Sequence, residues 1–380
     1  MKYPKIWLSP PHMSGNEIRY INKAFDSNWI STFGDNIDLF ESRIESYLKE
    51  SSKVVALSSG TAAIHLALIL LGVGEEDEVI CQSFTFCASA NPIIYLKARP
   101  IFIDSEMDTW NMSPIYLEEA INHRILKGKK PKAIIVVNSY GMPAKWDEIL
   151  TISKKYKIPI IEDSAQSLGS SFDGRKCGTL GDISVLSFNG NKIITTSAGG
   201  ALICDKQQVK NKTIFLAAQS KEASDFYKHK EIGYNYRMSN VLAGIGLGQM
   251  EILDEYVKKR RQNNFHYKSI FEDVKGIKLL EEVSKNYFSN HWLSCILIDK
   301  KIANFDNKKL NSFLLKENIE SRFLWKPLHT QPVFKRYNYF GNNESVGFFN
   351  RGLALPSGSG LTLIEKNRIA DTIKRLTLES

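Results

Sequence analysis

The chain predicts an α/β protein: a large, mainly parallel sheet with helices on both faces, followed by a smaller C-terminal α+β unit. Three observations carry this. Short β-branched runs alternate with helical patterns through the first two-thirds of the 380 residues, the order expected of strand–helix–strand units. Several of those runs are apolar throughout, as strands are when both faces of a sheet are covered. Later in the chain the order changes to a long charged helix, a strand and two further helices.

The strand candidates are residues 54–57, 78–81, 100–104, 133–137, 158–161, 183–186 and 201–204. Helical patterns lie between several of them, for example over 59–71 and 146–156, where apolar residues recur every three or four positions. Residues 247–271 read as one long charged helix leading out of the first unit. Beyond it, 292–298 reads as a strand, 307–316 as a helix and 361–378 as a closing helix. The expected division is therefore 1–250 and 251–380. No internal repeat or low-complexity tract interrupts it.

A chain of this length can bury two cores. Its 43% hydrophobic and 24% charged residues are ordinary for a globular protein. Residues 1–7 lack the apolar segment of a secretory signal. The longest apolar stretch, 62–73, is interrupted by His65 and is too short to span a bilayer. No membrane association is expected. The five cysteines (Cys81, Cys87, Cys177, Cys204 and Cys295) are scattered and show no metal-ligand spacing. They point to reduced thiols, a cytoplasmic setting and no bound metal. The net charge of +9 is spread along the chain. Basic clusters at 127–130 and 258–261 lack interleaved aromatics or a helix-turn-helix pattern, so they read as solvated helix faces rather than a nucleic-acid surface.

The chemistry is concentrated in Ser187-Phe-Asn-Gly-Asn-Lys192 and the following Ile-Ile-Thr-Thr-Ser-Ala-Gly-Gly200. One lysine stands among small polar residues between an apolar strand run and a Gly-Gly turn. About 20 residues upstream, Ile160-Ile-Glu-Asp-Ser164 ends another apolar run with acids. A lysine and a carboxylate brought to neighbouring strand ends suit a pyridoxal phosphate enzyme, the amine forming a Schiff base and Asp163 holding the proton on the ring nitrogen. Taken singly, each is more commonly a surface lysine and a strand-terminal acid. Ser58-Ser-Gly-Thr-Ala-Ala63 follows a strand and opens a helix, where backbone amides bind phosphate; alone it is an ordinary N-cap. Phe86 follows the next strand and could stack on a flat ring, though a lone Phe is more often core. Ser187 and Asn189 could donate to a phosphate. Together these place a phosphate cradle, a ring platform, a ring-nitrogen partner and an anchoring lysine at strand ends, where open α/β sheets bind ligands.

On these residues the chain resembles the DegT/StrS-type sugar-nucleotide aminotransferases, a branch of the fold-type I pyridoxal phosphate enzymes. The likeness continues through Gly178-Thr-Leu-Gly-Asp182, Gly233-Tyr-Asn-Tyr-Arg-Met-Ser239, Leu324-Trp-Lys-Pro-Leu-His329 and Leu355-Pro-Ser-Gly358. The run Phe188 to Ser197 is most similar to members that aminate C4 of UDP-4-keto-6-deoxy-GlcNAc.

The resemblance implies a set of roles. Lys192 is the Schiff-base lysine and acid/base. Asp163 pairs with the pyridinium nitrogen, Gln166 lies near the phenolic oxygen and Phe86 stacks on the ring. Gly60, Thr61 and Ser187 hold the phosphate with Asn235 of the other subunit, which makes the protein a homodimer with shared sites. Trp325, Lys326 and His329 contact the nucleotide sugar. Glutamate is the amino donor. Two positions depart from many relatives: Asn138 stands where they have His, and Ser197-Ala-Gly-Gly200 replaces Gly-Glu-Gly-Gly. A dehydratase offshoot carries His in place of the lysine, and Lys192 argues against that activity. The alternatives are a GDP- or dTDP-4-keto-6-deoxyhexose acceptor, a pyridoxal phosphate-binding regulator without turnover, and a structural domain whose lysine is incidental.

Overall fold

The computed structural model describes residues 3–49 and 51–378. Its strands are β1 (Lys53–Leu57), β2 (Glu78–Gln82), β3 (Arg99–Ile103), β4 (Ala133–Val137), β5 (Ile160–Asp163), β6 (Ser171–Phe172), β7 (Arg175–Lys176), β8 (Ile183–Ser187), β9 (Gly200–Cys204), β10 (Ile277–Leu279), β11 (Tyr287–Phe288), β12 (Ser294–Ile298), β13 (Arg322–Phe323), β14 (Tyr339–Phe340) and β15 (Gly352–Leu355). Eight of them form one sheet in the order β1-β9-β8-β5-β4-β2-β3-β14. Strand β9 runs antiparallel to both neighbours, and the pairs from β8 to β14 are parallel. Strands β4 and β5 are buried at every position, as a strand covered on both faces must be.

The two-residue period of a strand sorts side chains to opposite faces. On one face Val55, Leu57, Cys81, Ile161, Val185 and Leu202 pack against the helix Gly60–Leu70. That helix is apolar nearly all round, and every residue from Gly60 to Leu68 except Thr61 is buried, the pattern of a helix inside a core. On the other face Ile80, Ile101, Ile134, Val136 and Ile160 meet Leu117 and Ile121 of helix Pro114–Leu126 and Trp146 and Ile149 of helix Trp146–Tyr156. Toward the β1 edge, Val54, Ala56, Leu186 and Ile203 pack against helices Asp35–Leu48 and Asn240–Met250. Each such buried aliphatic contributes about 1.5–3 kcal/mol.

A second sheet, β10-β12-β15-β13, is antiparallel. Its core includes Ile296, Ile298, Leu353 and Leu355, with Tyr267, Leu310, Leu314, Ile369 and Ile373 from the helices Leu253–Phe271, Asn307–Lys316 and Leu363–Leu378. Ile6 belongs to this core and bridges to Ile319, so the chain's start is woven into the later unit. In return β14 extends the large sheet beside β3.

The expected mainly parallel sheet, helices on both faces and smaller α+β unit are all present. Two local expectations need correction. Residues 247–271 are not one helix. They contain the end of Asn240–Met250 and all of Leu253–Phe271, broken at Ile252, whose backbone is non-helical (φ −121°, ψ 10°). The first helix is held to helix Glu17–Asp26 by Glu251 on Arg19 and Tyr20. The second restarts with Asp254 and Glu255 at its positive end. Strand β5 begins at Ile160 rather than 158 and includes both acids. Among the described residues no helix is long and apolar enough to cross a membrane.

Candidate active site

Strand β5 delivers two consecutive acids, and its alternation sends them to opposite faces. Glu162 is completely buried. Its oxygens accept from Asn138 Nδ2 (3.0 Å), Ser164 Oγ (2.6 Å), the amides of Gly178 and Leu180 (2.8 Å each) and Ser184 Oγ (2.8 Å). A buried carboxylate needs such a shell, because unpaired it costs several kcal/mol. Asn138 is part of that shell. Its Oδ1 also accepts from Trp146 Nε1 and the Ala144 amide at 3.0 Å each, so it stands in the protein's interior and not in the cavity.

Asp163 faces the other way, at the register of Val137 and Val185 near the carboxyl ends of β4 and β8. Its Oδ2 accepts from Ser89 Oγ (2.7 Å) and its Oδ1 from the Ala165 amide (3.1 Å). Ser89 is in turn bonded to Thr85 Oγ1 at 3.0 Å. Burial pushes the Asp163 carboxyl above its ordinary pKa, opposed by Ser89, the Ala165 amide and Lys192.

The turn from β1 into helix Gly60–Leu70 forms an anion cradle. Ser59 caps the helix, its side chain accepting from the Ala62 amide. The amides of Gly60 and Thr61, in the first turn, have no intrahelical partner. A Cβ on Gly60 would lie 3.0 Å from Ser187 Cβ, and one on Gly200 would collide with the Ser59 carbonyl carbon and the Gly60 nitrogen. The glycines let β8 and β9 close against the helix start, which brings Ser187 beside its free amides.

Lys192 follows β8 in a tight turn, its amide bonded to the Asn189 carbonyl at 3.0 Å. The Asn191 carbonyl accepts from both Ser9 Oγ (2.8 Å) and Trp292 Nε1 (2.7 Å). The ammonium lies 4.7 Å from the centre of the Trp292 ring. The residue is partly accessible through the cavity, but its amine has little water around it. That desolvation lowers its pKa to about 8, with Asp163 pulling the other way.

One cavity of about 890 Å³ is lined by Gly60, Thr61, Phe86, Asp163, Gln166, Ser187, Lys192 and Trp325. These residues singled out in the sequence therefore meet there, together with Asn189. Gln166 is fixed by its Oε1, which accepts from the Tyr140 amide at 2.8 Å. Three do not line this cavity. Lys326 is exposed. His329 turns away, with Nδ1 at 2.7 Å from Ser83 Oγ and its ring stacked on Tyr339 at 3.7 Å. Asn235 lines a second cavity of about 640 Å³ beside Phe33, Gly34 and Arg237.

The sequence did not mark Trp7, Tyr140, Trp292, Arg322 or Phe323, which also line the first cavity. Tyr140, Trp292 and Trp325 form a stacked aromatic wall, with Tyr140 and Trp325 4.3 Å apart. Only the density of tryptophans could have hinted at it. A separate cavity of about 710 Å³ on the second unit, with Lys300, Lys301 and Arg351, shares only Phe323 with the first.

The donor set fits pyridoxal phosphate: a glycine-cleared cradle for an anion, an amine of lowered pKa, and a hydrogen-bonded buried acid in one space. A model of the DegT/DnrJ/EryC1/StrS aminotransferase family matches residues 11–374. EpsN of Bacillus subtilis (strain 168), described as a pyridoxal phosphate-dependent aminotransferase, is 47% identical over 98% of this chain and 96% of its own. GDP-perosamine synthase of Escherichia coli O157:H7 is 36% identical over 95% of each. The solved structure of the sugar aminotransferase Spr1654 from Streptococcus pneumoniae in its PLP form superimposes with a TM-score of 0.88 at 26% identity, covering 99% of both chains.

The lowered pKa has a direct readout. In the full chain freed of cofactor, reductive methylation with formaldehyde and cyanoborohydride, followed at the Lys192 peptide by mass spectrometry, should rise with a midpoint near pH 8. Exposed lysines should follow the ordinary value, about 10.4. A Lys192 profile that tracks the exposed lysines would refute the desolvated amine.

Proposed function

The chain belongs to the DegT/DnrJ/EryC1/StrS aminotransferase family, and from that premise we propose that it moves the amino group of glutamate to the C4 ketone of a nucleotide-linked 4-keto-6-deoxy sugar. The proposed acceptor is UDP-4-keto-6-deoxy-GlcNAc, giving UDP-4-amino-4,6-dideoxy-GlcNAc for polysaccharide or glycan synthesis. The observation that carries this is a single cavity joining buried Asp163 and half-buried Lys192 to exposed Trp7 and Phe323. It offers reacting groups at one end and aromatic surface for a larger ligand at the other.

The cofactor is pyridoxal phosphate, which when bound supplies an electron sink and carries the amino group between donor and acceptor. Gly60, Thr61 and Ser187 would hold its phosphate, Phe86 and Gln166 its ring, and Lys192 its reactive carbon. Ser89 and the Ala165 amide favour the ionised form of Asp163 against the burial that opposes it. An ionised acid there keeps a ring nitrogen protonated. With its pKa near 8, about a tenth of the Lys192 amine is unprotonated at pH 7, against roughly one part in three thousand for an ordinary lysine. It can therefore take a proton from the donor's Cα and return one to the acceptor carbon.

A GDP-linked acceptor is the runner-up, favoured by the likeness to GDP-perosamine synthase. Purified protein given glutamate and a panel of UDP-, GDP- and dTDP-linked 4-keto-6-deoxy sugars should aminate the UDP-GlcNAc derivative fastest. Lys192→Ala should abolish the reaction. Faster amination of the GDP-linked sugar would transfer the assignment to the runner-up. No conversion of the cofactor by glutamate alone would favour a regulator over an enzyme.

The site is proposed to be shared within a homodimer. Asn235 lies outside the catalytic cavity of its own chain, in a second cavity with exposed Phe33, so its reach toward a phosphate requires a second copy. Mixing Lys192→Ala with Asn235→Ala subunits should recover activity above either parent, because half-and-half dimers contain one intact site. Mixtures no better than the parents would count against sharing. The five unpaired cysteines are consistent with a cytoplasmic enzyme, which cell fractionation would check.

A further inference from the structure

We infer that Arg260 is a positioning residue for Lys192: its buried guanidinium clamps the main chain of the lysine turn to the N-terminal segment and to Trp292, and so fixes where the amine stands. Arg260 lies in the helix Leu253–Phe271 and is 1% exposed. Its Nη1 donates to the Trp292 carbonyl at 2.6 Å. Its Nη2 donates to Ser9 Oγ at 3.0 Å and to the Lys192 carbonyl at 3.3 Å. Its Nε is buried without a partner. All three acceptors are neutral oxygens. Burying a guanidinium among neutral groups is unfavourable, and an aliphatic side chain of similar volume would fill the space without that cost. A planar fork, however, can hold oxygens of three separate chain segments in fixed relation, and neither an aliphatic chain nor a lysine can.

The segments it joins are walls of the cavity. Ser9 sits beside Trp7, Pro10 and Pro11, and Trp292 presents its ring to the lysine ammonium. Ser9 and Trp292 also share the Asn191 carbonyl. Two successive carbonyls of the lysine turn are thus held by three side-chain donors, and Arg260 ties those donors together. The charged groups lining the cavity with Lys192 are Asp163, Glu320 and Arg322. Those acting on Arg260's own surroundings include Tyr256 and His12. Loosening the clamp would let water reach the amine without altering any of these charges.

The inference rests on Lys192 being the working amine, but its test reads the amine itself and not turnover, so it can fail while the proposed activity stands. The pH profile of Lys192 methylation is measured in the cofactor-free full chain, with exposed Lys326 as internal reference. Arg260→Gln should move the Lys192 midpoint upward by at least about one pH unit toward the ordinary lysine value, cutting labelling at pH 8 about fivefold. Lys326 should not change. Arg260→Lys, which keeps the charge and loses the fork, should fall between. A folded Arg260→Gln with the wild-type midpoint, even at a lower melting temperature, would overturn the positioning role. Should Arg260→Gln not fold, Ser9→Ala removes one arm of the clamp and should shift the midpoint in the same direction; an unchanged midpoint there would also overturn the role.

Discussion

Two carboxylates at the end of one central strand constrain everything around them. Burying Glu162 requires a full set of donors, and these come from Asn138, Ser164, Ser184 and the chain around Gly178 and Leu180. Meeting that demand draws the ends of β4, β5 and β8 into one rigid cluster. Asp163 is the next residue, so the same cluster determines where it stands and which face it addresses. The structural acid and the acid proposed to serve the cofactor are thus separated by one peptide, and the pleat of the strand turns them to opposite faces.

Exclusion of water then acts on Asp163 and Lys192 in opposite senses. It discourages ionisation of Asp163 and protonation of Lys192. Hydrogen bonds from Ser89 and the Ala165 amide offset the first effect, whereas the Trp292 ring beside the ammonium is a weaker partner than a carboxylate would be. An acid whose charged form is hydrogen-bonded and an amine whose pKa is brought toward physiological pH are what proton transfer there asks for.

Much of the fold was legible because its first seven principal strands are largely apolar runs with nearly every position buried, a pattern that survives any detail of packing. The paired strands of two residues, β6, β7, β11, β13 and β14, were not legible, since two residues carry no period. The break at Ile252 was hidden because apolar and charged residues continue across it in helical order. The site divided along the same line. Residues at strand ends, such as Gly60, Phe86, Asp163, Ser187 and Lys192, were visible from local order. The other aromatics of the cavity were not, because Trp7, Tyr140, Trp292 and Phe323 come from segments that only the fold brings together. Trp325 reaches the cavity while His329, four residues on, packs against Tyr339; adjacency in sequence could not separate them.

The central claim is that Lys192, across from Asp163, is the residue that bonds the cofactor. Borohydride reduction of the protein purified with its cofactor, followed by peptide mapping, tests it most directly. A single reduced pyridoxyl adduct on the Lys192 peptide is the predicted result. An adduct on another lysine, or none, would contradict the account.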